Sequence, residues 1–395
     1  MIDTFQIDTA VKERKSELIS IRRHLHAHPE LSFHEEQTAA FISKNLDEMG
    51  ISHVGKVAGN GIVASIGKPG GKVVALRGDM DALPILEENE VEYASKNKGV
   101  MHACGHDVHT TCLLGAASVL KSVESELNGL VQLFFQPAEE KIPGGASLMI
   151  KEGVLKNPDV QMIFGQHVFP DMEVGNVGFK EGMYMASTDE LYFTVKGKGG
   201  HAALPHTCID PVLISSHLIV ALQQMVSRRA RADMPTVLSI GKVEARGATN
   251  IIPDKVHLEG TMRTINEEWR ARMHTEIEQL AQNLCKSMGA EVELEIRRGY
   301  PNLVNDPAIT SWAKSKAIEV LGEEKVHDLP IRMTAEDFAY FAQEVPACFY
   351  RLGTSNKATG VGAPLHTSRF DVDEDALVIG TCLMSTFAVK ALEEL

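Results

Sequence analysis

The run LVQLFFQ at residues 130–136 is apolar at nearly every position and is followed directly by PAEE at residues 137–140. Near-continuous apolar runs of this kind are typical of strands that are buried on both faces of a parallel sheet. Comparable runs at residues 61–66, 73–76 and 160–166 alternate with helical patterns. This alternation predicts an α/β fold with a mainly parallel sheet.

A second pattern begins near residue 186. From there to residue 298 the sequence predicts elements in the order β-α-β-β-α-β, the split βαβ arrangement of ferredoxin-like modules. We therefore expect a discontinuous first domain, at residues 1–185 and 299–395, with an α+β domain at residues 186–298 inserted in it. The chain length of 395 residues favours two domains, because a single hydrophobic core rarely grows to that size.

The composition, 44% hydrophobic and 23% charged residues, is that of a globular protein. A net charge of −14 disfavours nucleic acid and anionic membranes as partners. The N-terminus lacks the pattern of a signal peptide, and we expect no apolar run of membrane-spanning length. The six cysteines are scattered without a close-spaced framework, which favours reduced thiols and hence the cytoplasm.

Candidate metal ligands lie on two loops beside predicted elements. Cys104 and His106 share a loop just before a predicted helix, and thiolate and imidazole are both strong ligands for zinc-like ions. Glu139 and Glu140 follow the strand at residues 130–136, and ligands of α/β sheets collect at such strand ends. Adjacent carboxylates can divide the work, one holding a metal and the other acting as a general base. A solvated pair of loop glutamates is the alternative interpretation.

Two further histidines occupy similar positions. His167 ends a predicted strand, and His366 lies between a glycine-rich loop and the last predicted helix. A single histidine in such a place is more often an ordinary hydrogen-bonded residue than a ligand. Asp79 follows the strand at residues 73–76 and is suited to orienting a ligating imidazole. Several such groups at the strand ends of one sheet together favour a metal site.

The motifs taken together resemble the aminoacylase/carboxypeptidase family of cocatalytic metallohydrolases. Within it they are most similar to the branch of hippurate hydrolases and auxin–amino acid (IAA-amino acid) conjugate hydrolases, in which a cysteine replaces the carboxylate that bridges two metals. The motifs occur in the family's order: RGDMDALP (77–84), MHACGHDVH (101–109), QPAEE (136–140), GQHV (165–168) and PLHT (364–367). The similarity runs from about residue 21 to the C-terminus, and the joint occurrence is specific whereas each motif alone is not.

The resemblance implies two divalent metal ions that are bridged by Cys104. His106 and His167 would complete the site of one ion, and Glu140 and His366 would complete the site of the other. Zinc, manganese, nickel and cobalt are all compatible with such ligands. The division of ligands between the two ions comes from the resemblance alone.

The same resemblance implies the chemistry of the site. Glu139 would act as the general base, and Asp79 would support His106. The implied fold is a zinc-peptidase-like catalytic domain with an inserted lid or dimerisation domain. The expected reaction is hydrolysis of a small N-acyl amino acid, with an N-acetyl, N-benzoyl or similar group, to an amino acid and a carboxylate.

The inserted domain holds the candidate substrate contacts. His201, in GGHAA at residues 199–203, resembles the family histidine that reaches the scissile carbonyl, commonly from a partner subunit. As an oxyanion donor it would stabilise the tetrahedral intermediate. Asn250 matches another family substrate contact, and Arg263 is suited to gripping a substrate carboxylate. An exposed sheet edge together with a trans-acting His201 predicts a homodimer through this domain.

Three alternatives compete with this interpretation. A dipeptidase or carboxypeptidase of the same family would use the same centre, since a peptide bond is also the bond of an N-acylated amino acid. A catalytically silent clamp that binds metal or ligand is the alternative outside enzymes, although Glu139 argues against it because metal binding needs no general base. A zinc nucleobase deaminase would need His-x-Glu with a downstream Pro-Cys-x-x-Cys, and this combination is missing from the sequence.

Overall fold

The structure, a computed structural model, describes residues 2–395. Its helices in chain order are α1 (Thr4–Glu13), α2 (Lys15–Ala27), α3 (Glu36–Glu48), α4 (His106–Ser122), α5 (Gly145–Lys151), α6 (Pro211–Gln224), α7 (Glu267–Ser287), α8 (Pro307–Leu321), α9 (Ala339–Glu344) and α10 (Asp375–Glu394). Its strands are β1 (Ser52–Val57), β2 (Gly61–Gly67), β3 (Lys72–Asp79), β4 (Gly129–Gln136), β5 (Met162–Glu173), β6 (Val177–Phe179), β7 (Gly182–Met185), β8 (Ser187–Lys196), β9 (Gly200–His201), β10 (Thr236–Ala245), β11 (Ile251–Ile252), β12 (Lys255–Thr264), β13 (Glu291–Arg298), β14 (Leu303–Asn305), β15 (Val326–Asp328) and β16 (Ala347–Ser355).

The large sheet has eight strands in the order β1-β2-β4-β3-β5-β16-β6-β15. The central pairs β4–β3, β3–β5 and β5–β16 are parallel, as is β6–β15. The pairs β1–β2, β2–β4 and β16–β6 are antiparallel. Every residue of β4 and of β16 is buried, so both faces of the central sheet are covered. The predicted α/β fold with a mainly parallel sheet is therefore confirmed.

A separate four-stranded antiparallel sheet has the order β10-β12-β8-β13. Helices α6 and α7 pack on it around a core that includes Phe193, Leu218, Met273 and Ile277. In chain order the main elements are β8, α6, β10, β12, α7 and β13, with the short strands β9 and β11 between them. This is the β-α-β-β-α-β order that the sequence predicts.

The chain divides into two compact units. The first comprises Met1–Gly182, Val304–Pro330 and Asp337–Leu395, and the second comprises Met183–Leu303 and Ile331–Glu336. The predicted domain boundaries differ from these limits chiefly at Ile331–Glu336, which the prediction places in the first domain. This segment lies with the second unit because the N–H of Ala186 donates to the carbonyl oxygens of Arg332 and Thr334, both at 3.1 Å.

Helix α10 is 20 residues long and, among the described residues, is the one helix long and apolar enough to cross a membrane. The expectation that no apolar run reaches such a length is therefore wrong. However, 83% of its most apolar stretch is buried, because the helix packs against α4, α1 and β3 in the first unit. Its composition is that of a helix at the centre of a hydrophobic core.

Candidate metal centre

Parallel strands bring the predicted ligands to one edge of the large sheet. β3 and β4 end together, with Asp79 opposite Gln136. On the other side of β3, Gly165 of β5 lies opposite Arg77, so that His167 reaches the level of Asp79. Because the carboxyl ends of parallel strands meet at one edge, the loop after β4 and the end of this part of β5 converge there.

Five predicted ligands form two clusters that share Cys104. The candidate ligand atoms of Cys104, His106 and His167 all lie within 4.8 Å of one another, and the same holds for Cys104, Glu140 and His366. Cys104 Sγ is 3.4 Å from His167 Nε2 and 3.3 Å from His366 Nε2. His366 Nε2 is also 3.2 Å from Glu140 Oε1. These are the two groups that the family resemblance assigns to two ions.

The side chains of the clusters fit divalent cations. His106 Nε2 is buried and forms no hydrogen bond within residues 2–395, although an orphaned buried polar atom is costly. The ring of His167 donates from Nδ1 to the carbonyl oxygen of Val168 at 2.8 Å, which leaves the Nε2 lone pair facing Cys104. Burial lowers the pKa of His167 well below its usual value and keeps this imidazole neutral. Sulfur, neutral imidazole and carboxylate are the donor set of zinc and similar ions.

The candidate metal centre is surrounded by negatively charged groups. Burial raises the pKa of the Cys104 thiol well above its usual value, and the nearby Glu140 carboxylate raises it further. Burial would lower the pKa of His106, but Asp79 and Asp81 outweigh that effect and raise it to about 10. The pocket is thus rich in negative groups, which divalent cations would compensate.

Asp81, rather than Asp79, makes the direct hydrogen bond to His106. The distance from His106 Nδ1 to Asp81 Oδ1 is 3.2 Å, whereas Asp79 Oδ2 lies 3.7 Å from His106 Nε2. Asp79 instead accepts a hydrogen bond from His109 Nδ1 at 2.6 Å, and His109 Nε2 accepts one from the N–H of Val168 at 2.9 Å. From the sequence alone we assign no role to Asp81, although the motif RGDMDALP contains both carboxylates.

Asp81 also fixes the backbone of the two glutamates. Its two carboxylate oxygens accept the N–H groups of Glu139 and Glu140, each at 3.0 Å, and Oδ2 accepts the hydroxyl of Ser32 at 2.6 Å. Candidate ligand atoms of His106, Glu139 and Glu140 lie within 4.8 Å of one another. Glu139 is 6% exposed and is therefore largely shielded from water. The structure thus places the predicted general base beside the ligand clusters.

Gly105 lets the ligand loop enter α4. It lies between Cys104 and His106 with a φ of 80°, in the left-handed region that favours glycine. A Cβ at this position would lie 2.4 Å from Cγ2 of Val168. The sharp entry into the helix, with the strand β5 packed against it, therefore requires a residue without a side chain.

We expect Gly105→Ala to lower the free energy of unfolding by about 3 kcal/mol, from backbone strain together with overpacking. Metal occupancy should fall as well, because the displaced loop carries both Cys104 and His106. Gly153→Ala is the matched control, since Gly153 has a φ of 87° and no neighbour within 4 Å of a Cβ. The control should lose only about 1–2 kcal/mol in denaturant unfolding. An equal loss of unfolding free energy in the two variants would show that Val168 moves aside without an energetic penalty.

In the second unit, His201 and Asn250 are neighbours. Strand β9 pairs with β11, with His201 opposite Ile251, and the N–H of Ala202 donates to the carbonyl oxygen of Asn250 at 3.0 Å. The N–H of Ala203 donates to His201 Nδ1 at 3.1 Å. A neutral His201 must therefore carry its proton on Nε2, which makes that atom a hydrogen-bond donor.

Arg263 lies elsewhere in the second unit, on β12 opposite Val237 and Thr188. Its guanidinium donates to the carbonyl oxygen of Met262 at 3.1 Å and to the hydroxyl of Thr261. Burial lowers the pKa of Arg263. The neighbouring salt bridges join Arg270 to Asp189 and Glu267 and do not include Arg263.

The chain is similar over nearly its whole length to known hydrolases. It is 40% identical to IAA-amino acid hydrolase ILR1-like 4 of Arabidopsis thaliana, over 96% of this chain and 86% of that protein. It is also 40% identical to N-acetyl-L-cysteine deacetylase of Bacillus subtilis (strain 168), over 96% of this chain and 89% of that protein.

A solved structure and a protein family are also similar to this chain. The Bacillus subtilis YXEP protein, described as a dinuclear metal binding peptidase from the M20 family, has a TM-score of 0.81 and 35% identity, covering 97% of this chain and all of that one. The sequence model of peptidase family M20/M25/M40 matches residues 75–390 of this chain. With a match of this extent and relatives at 40% identity, the chain belongs to peptidase family M20/M25/M40.

Proposed function

We propose that this protein is a metal-dependent amidohydrolase that cleaves N-acyl amino acids to an amino acid and a carboxylate. The observation that carries the proposal is a buried thiol, Cys104, shared by two ligand clusters with the carboxylate of Glu139 beside them. The names of the two enzymes compared above, an auxin conjugate hydrolase and a deacetylase, support an acyl amide as the bond that is cleaved.

In this proposal the two clusters that share Cys104 would hold two divalent ions. His106 and His167 would complete the ligands of one ion, and Glu140 and His366 would complete those of the other. Zinc, manganese, nickel and cobalt all accept these donors, so availability decides between them. When bound, such ions would polarise the acyl carbonyl and lower the pKa of a water molecule.

The protein groups perform the proton transfers and the positioning. Glu139 takes the proton from the attacking water and later delivers it to the leaving amine. His201, with its proton on Nε2, donates to the oxyanion, either within one chain or from a partner subunit. Asn250 contacts the substrate beside His201, and Arg263 holds its carboxylate. Asp79 supports His106, whose Nε2 lies 3.7 Å from Asp79 Oδ2. It also orients the buried His109 through a hydrogen bond at 2.6 Å.

We further propose that the protein is a cytoplasmic homodimer joined through the second unit. The antiparallel sheet of that unit has β10 and β13 at its edges, and Val243 on β10 is 56% exposed. Unpaired edge strands are ready templates for pairing with another chain. The six cysteines are free thiols, and reduced thiols are usual in the cytoplasm. A sedimentation measurement that finds only monomers would remove the trans-acting role of His201.

The substrate class is tested by a panel of amides on protein loaded with each candidate metal. We expect N-acetyl and N-benzoyl amino acids to be hydrolysed with a kcat/KM at least about tenfold above that for dipeptides, a difference of about 1.4 kcal/mol. Faster cleavage of dipeptides would instead identify a dipeptidase. No turnover over the whole panel, with metal fully bound, would favour a silent ligand-binding protein.

A further inference from the structure

Glu35 is a buried carboxylate from outside the motifs that carry the chemistry. It lies immediately before α3 and is 0% exposed. Its Oε1 accepts the N–H of Phe33 at 2.9 Å and the N–H of Ala138 at 2.8 Å, and its Oε2 accepts Asn60 Nδ2 at 3.0 Å. All of these partners are donors, so the site is built for an acceptor on both oxygens.

The bond to Ala138 joins Glu35 to the loop that carries Glu139. Ala138 has a φ of 51°, a left-handed conformation that is strained for a residue with a Cβ. On its other side, the carbonyl oxygen of Ala138 accepts the N–H of Gly145 at 3.0 Å. Strained backbone persists only where surrounding groups hold it, and Glu35 supplies one of those contacts.

Glu35 and Asp81 together hold three consecutive peptide groups. Glu35 accepts the N–H of Ala138, and Asp81 accepts the N–H groups of Glu139 and Glu140 at 3.0 Å each. Charge-assisted hydrogen bonds of this kind are shorter and stronger than those between neutral groups. The direction in which both glutamate side chains leave the backbone is therefore set by two carboxylates from other parts of the chain.

We propose that Glu35 is a positioning residue for amide hydrolysis: its carboxylate fixes the turn at Ala138 and thereby aims the carboxylate of Glu139. The proposal rests on the proposed function, since Glu139 needs aiming only if it is the general base. Misplacement of a catalytic group by about 1 Å can cost about 100-fold in rate, so a residue without substrate contact can control turnover.

The test compares Glu35→Gln with Glu30→Gln in the full-length, metal-loaded protein. Glu30 is the matched control because it is 9% exposed and also accepts several donors, the N–H groups of Gln37 and Thr38 and the hydroxyl of Thr38. These contacts hold the start of α3 and leave the loop at Ala138 untouched. In Glu35→Gln the neutral amide lacks the charge that strengthens the bond to the N–H of Ala138, and the turn should relax.

We expect Glu35→Gln to lower kcat by about 10- to 100-fold, with KM within about threefold of wild type and metal content unchanged. Glu30→Gln should keep kcat within about twofold of wild type even if its melting temperature falls. If Glu35→Gln does not fold, Asn60→Ala, which removes one donor to the same carboxylate, should lower kcat by about two- to fivefold at constant KM.

A wild-type kcat in a folded Glu35→Gln protein, or an equal loss of kcat in Glu30→Gln, would overturn the proposal. So would an unchanged kcat in Asn60→Ala where Glu35→Gln fails to fold. Absence of amide hydrolysis in the wild-type protein itself would instead remove the proposed function, and the role of Glu35 would fall with it.

Discussion

Glu139→Gln is expected to lower kcat by about 10³-fold while the protein keeps its full complement of metal. The amide cannot accept the proton of the attacking water, yet it preserves the volume and much of the polarity of the carboxylate. The backbone N–H of Glu139 remains bound to Asp81, so the loop should stay in place. Steady-state kinetics on an N-acetyl amino acid, together with metal analysis of the same sample, measures both quantities.

Glu140→Ala is the companion variant for this prediction. The two residues are adjacent and share Asp81 as the acceptor of their backbone N–H groups, but only Glu140 belongs to the cluster with Cys104 and His366. It should therefore lose metal as well as turnover. A Glu139→Gln protein that retains near-normal rates would show that another group accepts the proton, and the mechanism would then be wrong.

The second large effect is expected from Cys104→Ala, which should abolish stable binding of both ions. Cys104 belongs to both ligand clusters, so its removal takes a donor from each, whereas Glu140→Ala takes a donor from one. Loss of an outer contact already costs about 10- to 100-fold in metal affinity, and loss of a direct ligand shared by two ions should cost more. Metal content after dialysis, with activity on the same sample, measures the effect.

Cys112→Ala is the control for this variant. Cys112 is also buried, in α4, but lies in neither ligand cluster. The control should keep both ions and near-normal turnover, with only the stability loss of a small cavity. A Cys104→Ala protein that still binds one ion tightly would mean that the thiol serves one site and does not bridge two.

Much of the first unit can be predicted from the sequence. Apolar periodicity identifies its strands, and ligands of parallel sheets collect at the carboxyl ends of those strands. The runs at residues 73–76, 130–136 and 160–166 correspond to β3, β4 and β5, because residues buried on both faces leave a continuous apolar signal. Their parallel arrangement explains why Glu140 and His167 lie at the same edge of the sheet, where each is clustered with Cys104. Strand β1, Ser52–Val57, leaves no such signal because it is an edge strand with mostly exposed residues.

The contacts that orient the ligands are harder to predict from sequence. Asp79 and Asp81 are two residues apart in one motif, and only the backbone geometry decides which of them bonds to His106. Glu35 approaches Ala138 from 103 positions away, and no periodicity marks such a contact. Donors and acceptors that meet through the tertiary fold have no local signature, whereas amphipathic helices and buried strands do.

The residues of the second unit that we propose to contact the substrate are likewise only partly predictable from sequence. Strand β12, which holds Arg263, and the helices packed on its sheet follow from the β-α-β-β-α-β order that the sequence predicts. The short ladder of β9 and β11, which makes His201 and Asn250 neighbours, has two residues on each strand. Two-residue strands carry too little pattern to be predicted, so the pairing becomes visible only in the structure.

Two ions bound around Cys104 would give this protein its amidohydrolase activity. The most direct measurement is the rate of N-acetyl amino acid hydrolysis as metal-free protein is titrated with a single divalent metal, with bound metal counted in each sample. We expect no turnover without metal and a rate that rises until two ions are bound per chain. Full activity in metal-free protein would refute the role of the two ions, and metal-replete protein that hydrolyses no N-acyl amino acid would refute the proposed reaction.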